Sequence, residues 1–151
     1  MKSVLCGAAA FFLSLTLFSY AAAADIPWTT DLDAALDRAA KENLTVLALF
    51  TGSDWCPYCE KLDRGLVRTG EFSDFVGTGI IPVFIDFPKK KILPEEQARK
   101  NREWKKRYAV EGYPTMLLIG NDGKILGTVE YTGGSSASYI RDLREITRKR
   151  R

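Results

Sequence analysis

Cys56 and Cys59, separated by Pro57 and Tyr58, carry the first chemistry this chain offers. Two thiols at that spacing can close to a small disulfide and reopen, exchanging electrons with other thiols. As a structural staple the bridge would be weak, because so short a loop constrains little of the unfolded chain. As half of a zinc site the pair lacks a second pair, and the sequence has no histidine to complete one. The same absence excludes a Ser-His-Asp triad, a Cys-His dyad and an imidazole proton shuttle. Chemistry here must run on thiols, carboxylates, amines, hydroxyls or backbone groups.

The elements around the pair give it a physical setting. Leu44 to Thr51 is a short, nearly continuous apolar run, the pattern of a strand covered on both faces. Gly52-Ser53-Asp54 breaks it, and a helix is expected from Pro57, where a missing N–H costs nothing. Leu62, Leu66 and Val67 supply its buried side, and Thr69-Gly70 ends it. Cys56 then sits where unpaired backbone N–H groups and the helix dipole favour a thiolate, below the ordinary thiol value of about 8.5. Cys59, one turn inward, is expected to be less exposed and to act second. Asp54 and Glu60 oppose the shift and Lys61 assists it; the helix terminus is expected to prevail because exposed charges are screened. In the resulting mechanism the Cys56 thiolate attacks a disulfide, and Cys59 resolves the mixed disulfide.

The rest of the chain reads as one domain. Residues 1–24 hold a single charge, Lys2, an apolar middle and a run of alanines ending at Ala24, which is the pattern of a cleaved secretory signal peptide. Cys6 would leave with it, and an uncleaved membrane anchor is the rival reading. The remaining 127 residues (151 − 24) carry a net charge of +2 (21 − 19). Thr30 or Asp31 caps a first helix with Leu32, Ala35, Leu36 and Ala39 on one face. Ile80 to Phe87 is a second strand, Pro88 to Pro94 a lysine-rich loop, and Glu95 to Tyr108 a helix with acids first and bases last. Thr115 to Ile119 and Lys124 to Tyr131 form a hairpin about Asn121-Asp122-Gly123, and a last helix capped by Ser135 or Ser136 runs to about Thr147. Alternating β and α elements followed by a hairpin imply an α/β fold, a central mixed sheet with helices on both faces. Trp28 is expected to pack near the first helix. Residues 89–107 hold nine bases against three acids, and 25–63 eight acids against three bases. The expected reading is a solvated helix face, with no nucleic-acid partner.

Two islands together resemble the thioredoxin superfamily, and most closely its exported bacterial members. The first is Phe50-Thr51-Gly52-Ser53-Asp54-Trp55-Cys56-Pro57-Tyr58-Cys59 at a strand-to-helix junction. The second is Gly112-Tyr113-Pro114-Thr115 entering a strand, followed by Asn121-Asp122-Gly123-Lys124. The resemblance implies a thioredoxin-like domain over 25–151, with Cys56 attacking, Cys59 resolving and Trp55 the aromatic residue before the site. It implies a cis bond before Pro114, whose neighbour Tyr113 offers its backbone to an extended substrate strand. Pro57, Tyr58, Tyr113 and Pro114 would then line the substrate with Trp55. Thioredoxin proper keeps a buried acid in the strand before the site, and here that strand offers only Leu47, Ala48, Leu49 and Phe50. Without a histidine between the cysteines, the implied potential is intermediate, about −230 to −160 mV.

The expected function is therefore thiol–disulfide exchange with protein thiols or disulfides in an exported, periplasmic or secreted location. A membrane or soluble redox partner recycles the site, and no metal or cofactor is expected beyond the Cys56–Cys59 couple. A monomer is expected, with membrane contact only through an uncleaved leader. The alternatives are a non-catalytic peptide-binding module using the Tyr113-Pro114 groove, and a thiolate carrier for a soft metal ion such as copper(I).

Overall fold

Strand β1 (Thr45–Thr51) is buried along its whole length because its alternating side chains enter two different cores. Val46, Ala48 and Phe50 join Ile81, Val83, Ile85, Leu117 and Ile119 on one side. Leu47 and Leu49 join Met116 and Leu118 on the other. The structure, a computed structural model, describes residues 26–149; the expected leader with Cys6, and Arg150 and Arg151, lie outside the described residues. Strand β2 (Ile80–Asp86) runs parallel to β1 on one edge, and β3 (Thr115–Ile119) runs antiparallel on the other. Strand β4 (Ile125–Glu130) pairs antiparallel with β3, giving the sheet order β2-β1-β3-β4.

Helices cover both faces, as the alternation of elements predicts. Helix α1 (Leu32–Glu42) and helix α4 (Glu95–Arg107) bring Leu32, Ala35, Ala39 and Trp104 to the first core. Helix α2 (Pro57–Leu62), helix α3 (Gly70–Val76) and helix α5 (Ser136–Arg148) bring Leu62, Phe72, Phe75, Tyr139 and Leu143 to the second. The helix starts are chemically marked. Asp31 Oδ1 accepts the Ala34 N–H at 3.1 Å, and Ser135 Oγ accepts that of Ser138 at 3.3 Å. Asn43 closes α1 in the left-handed region, φ 54°, a conformation that asparagine tolerates.

Three details depart from the sequence reading. The helix beginning at Pro57 does not stay α-helical to Thr69: Asp63–Val67 widen into a π-helical turn in which Arg68 N–H reaches Asp63 O at 3.0 Å. Thr69 then caps α3 through its Oγ1 and the Phe72 N–H. Trp28 does not pack on α1. Thr29 hydrogen-bonds along the outer edge of β2, and Trp28 turns to the opposite face, where it stacks on Phe72 and meets Phe84 edge-on. The opposed charge blocks, finally, are more than solvated surface, because part of each pairs with the other. Asp33 accepts from Trp104 Nε1 at 3.0 Å and pairs with Arg107 at 2.8 Å, while Lys100 lies 3.2 Å from Asp31. Such half-exposed pairs contribute little individually, and they link α4 to the start of α1.

Candidate active site

The end of β1 delivers the two cysteines. After Thr51 the chain turns at Gly52, whose carbonyl accepts the Cys56 N–H at 3.0 Å. Cys56 caps α2: its backbone is extended, and its Sγ accepts the Cys59 N–H at 3.2 Å. Cys59 Sγ in turn receives the Gly52 N–H at 3.4 Å. The two sulfurs are joined as a disulfide with the Cα atoms 5.2 Å apart. Both residues are largely covered, Cys56 at 7% exposure and Cys59 at 4%, and Cys56 alone of the two lines an opening to solvent, with Ser53, Trp55 and Pro57.

Gly52 is dictated by its neighbour. A Cβ there would stand 2.5–2.9 Å from the Trp55 indole, so only glycine lets that ring lie across the loop. The indole N–H donates to the Phe87 carbonyl at 2.7 Å and ties the loop to the segment leaving β2. Ser53 makes a second tie, its N–H and Oγ donating to the Asp86 carboxylate at 2.9 and 2.6 Å. Buried Asn101 of α4 donates to the Asp86 carbonyl at 2.7 Å, so the helix on the first core also braces the site.

Opposite the cysteines the Tyr113–Pro114 peptide bond is cis, as the resemblance implies, and Thr115 Oγ1 closes the turn on Gly112 O at 2.9 Å. The Tyr113 carbonyl oxygen lies 3.7 Å from Cys56 Sγ. The Tyr113 ring stacks on Phe87 at 5.1 Å and meets the edge of Trp55 at 6.0 Å. Burial pushes the Tyr113 phenol above its ordinary value, so it stays neutral at physiological pH. Beyond Pro114 a groove of about 700 Å³ runs between Tyr58, Tyr108 and Tyr131, with Glu111 and Glu130 on its walls. All seven site residues expected from sequence thus gather at one end of β1 and β3. Pro57 and Tyr58 stand outermost and Pro114 is buried.

The flanking charges are arranged differently from the expectation that Asp54 and Glu60 simply oppose a thiolate. Asp54 accepts three consecutive backbone N–H bonds, from Lys89, Lys90 and Lys91 at 2.9, 2.8 and 2.9 Å, which hold its carboxyl below the usual range. Glu60 pairs with Arg64 at 2.9 Å. The polar side chains buried among the described residues are Thr45, Thr51, Asn101 and Thr115, so no carboxylate stands behind Cys59 in that set. Sequence reasoning missed Gly52, Ser53, Asp86, Phe87 and Asn101 as site supports. Gly52 carried a signal, three residues ahead of a bulky Trp55; the others act through contacts 15 to 33 residues away in sequence.

A mixed sheet of this order, a cysteine pair at a helix start and a facing cis-proline define the thioredoxin fold. The chain belongs to the thioredoxin-like domain family, whose pattern it matches over residues 32–145. It is 34% identical over 129 residues to the disulfide bond reductase DsbH of Chlamydia pneumoniae, covering 85% of this chain and 77% of that protein. The thioredoxin-related protein DsbJ of the same organism is 25% identical over 139 residues, 89% of this chain but 40% of that longer protein. A solved structure of a DsbH oxidoreductase superposes with a TM-score of 0.77 at 33% identity, covering 82% of this chain and 85% of that one.

Proposed function

We propose that this protein is a thiol–disulfide oxidoreductase that reduces protein disulfides through the Cys56/Cys59 couple. The observation that carries the reading is the placement of Cys56 Sγ, which accepts the Cys59 N–H and stands 3.7 Å from the Tyr113 carbonyl at the rim of the groove. An N–H bond to a charged acceptor contributes about 1.5–3 kcal/mol, so the thiolate gains more from it than the neutral thiol does. In the reduced enzyme the Cys56 thiolate attacks one sulfur of a client disulfide. A Cys56–client bond forms and the client's other sulfur leaves as a thiolate that takes up a proton. Cys59 then loses its proton and attacks Cys56 Sγ, the second client thiolate leaves, and the Cys56–Cys59 disulfide remains. Gly52 N–H supports negative charge on Cys59 in that step. Among the described residues no buried carboxylate stands by to take that proton.

Trp55, Pro57, Tyr58, Tyr113 and Pro114 are assigned to substrate contact, with the Tyr113 backbone pairing to an extended client strand. The reductive direction is supported by the similarity to the disulfide bond reductase DsbH. The Cys-Pro-Tyr-Cys motif, export by a leader over 1–24 and a mature domain over 25–151 complete the proposal. A membrane or soluble partner would then return electrons to the disulfide. Turbidimetric reduction of insulin with dithiothreitol tests the reading. The wild-type protein should accelerate precipitation and Cys56→Ser should not; equal acceleration by both would remove Cys56 from its role.

A further inference from the structure

Beside the cysteines stands a second built feature that disulfide exchange itself does not use. The segment after β2 runs Phe87-Pro88-Lys89-Lys90-Lys91-Ile92, and the Asp54 carboxylate holds it through three successive backbone N–H groups. Asp54 is two residues from Cys56, so whatever it fixes is fixed relative to the reactive sulfur. The hold is reinforced twice, by the Trp55 indole on the Phe87 carbonyl and by the Lys89 ammonium 3.8 Å over the Trp55 ring. Lys90 lines the opening at Cys56 together with Ser53, Asp54, Trp55, Pro57 and Glu60. Ile92 is 97% exposed, an apolar side chain offered to solvent at the end of the lysine run.

Three exposed lysines stand beside that opening, next to the carboxylates of Asp54 and Glu60. The Asp54 carboxylate, held by backbone donors, stays negative and acts on Lys90, and Glu60 is paired with Arg64, while none of Lys89, Lys90 and Lys91 makes a salt bridge within 4 Å among the described residues. A carboxylate thus orders a loop that presents three consecutive exposed lysines. We propose that Lys89–Ile92 is a docking platform, positioned by Asp54, for protein partners whose exchanging cysteine is flanked by acidic residues and an apolar side chain. The inference rests on the oxidoreductase reading and names its substrate class. Complementary charge beside the sulfur raises the rate of productive encounter and fixes the side from which a partner approaches.

Two synthetic disulfide-looped peptides with the same ring test it, one flanked by aspartates and one by lysines, reduced by the full protein at low and high ionic strength. The wild-type protein should favour the acidic peptide in kcat/KM by about tenfold at low salt, with the ratio shrinking as salt rises. The difference should lie in KM rather than kcat. Lys89→Gln/Lys90→Gln/Lys91→Gln should bring the ratio close to one. Asp54→Asn, which removes a negative charge beside the lysines and weakens the hold on the loop, should lower the ratio several-fold, against the rise that charge alone would give. A wild-type ratio near one, or a preference that survives in the triple variant, overturns the platform. An unchanged or raised ratio in Asp54→Asn overturns the positioning role. Reduction of hydroxyethyl disulfide, which is small and uncharged, is read in parallel on the wild-type protein: its absence would count against the oxidoreductase reading, whereas activity without charge preference would count against the platform alone.

Discussion

Cys56 receives one N–H bond and Cys59 another, and both donors depend on how tightly the loop between Thr51 and Pro57 is folded. Gly52 governs that loop at three points: its carbonyl holds Cys56 N–H, its own N–H holds Cys59 Sγ, and its missing Cβ admits the Trp55 ring. Gly52→Ala should therefore displace the indole, break its bond to Phe87 and shift both sulfurs. We expect a fall in insulin reduction of about tenfold or more, since small misplacements at a reacting centre are costly. Trp55 fluorescence should change with it; unaltered fluorescence and activity would show that the ring does not fill that space. At this scale the sequence was highly legible for the cysteines and the facing Tyr113-Pro114, whose residue types carry their chemistry openly. It was silent on Ser53, Asp86 and Asn101, because polar residues of these types are common on any surface. Only the fold shows that they converge.

The elements position the site through their ends. Helix α1 begins at Asp31, whose carboxylate takes the Ala34 N–H and also faces Lys100 of α4. The Ala34 N–H, with help from Lys100, holds the Asp31 carboxyl below its ordinary value. Its contribution to stability is thus present above the unfolded value of about 3.8 and is lost as pH falls through the folded value. Asp31→Ala should cost about 0.5–1 kcal/mol at neutral pH, mostly from the cap, with the Lys100 pair discounted for solvent screening. Against acid the variant should lose less further stability than the wild type does; parallel pH profiles in urea unfolding would contradict this. Ala109, just past α4, sits at φ 50°, where a side chain is strained. Ala109→Gly should leave stability unchanged or raise it by up to about 1 kcal/mol, as thermal unfolding would show. The order of elements was legible from periodicity, and end residues narrowed each of two caps to a pair, Thr30 or Asp31 and Ser135 or Ser136, of which the fold uses Asp31 and Ser135. The π-helical turn at Asp63–Val67 was not, because its extra residue leaves the buried set Leu62, Leu66 and Val67 looking α-helical. Trp28 was misplaced for a related reason: an isolated aromatic has no period, so its face is decided by the Thr29 bridge to β2.

Across the whole molecule one sheet separates two cores, and neither can lose its packing without affecting the strands shared by both. Phe50 lies wholly buried on the side of α1 and α4, and Phe72 wholly buried on the side of α2, α3 and α5. Phe50→Ala and Phe72→Ala should each cost about 3–5 kcal/mol and lower the midpoint of a single unfolding transition. A biphasic transition in either variant would mean that the two layers unfold separately. The acidic and basic halves that looked like surface decoration in sequence also belong to this scale. One pairing, Asp33 with Arg107, helps align two helices, and another interaction, Asp54 with the loop of Lys89 to Lys91, shapes the rim of the site. On the proposed function, these arrangements hold a sulfur that must be charged and reachable near neutrality. The rate of iodoacetamide alkylation of Cys56 in the reduced protein, followed across pH, measures that directly. It should already be near its plateau at pH 7, with the modified residue identified as Cys56 by mass. A rate that is slow at pH 7 and still climbing through about pH 8.5, as for an ordinary thiol, would contradict the account.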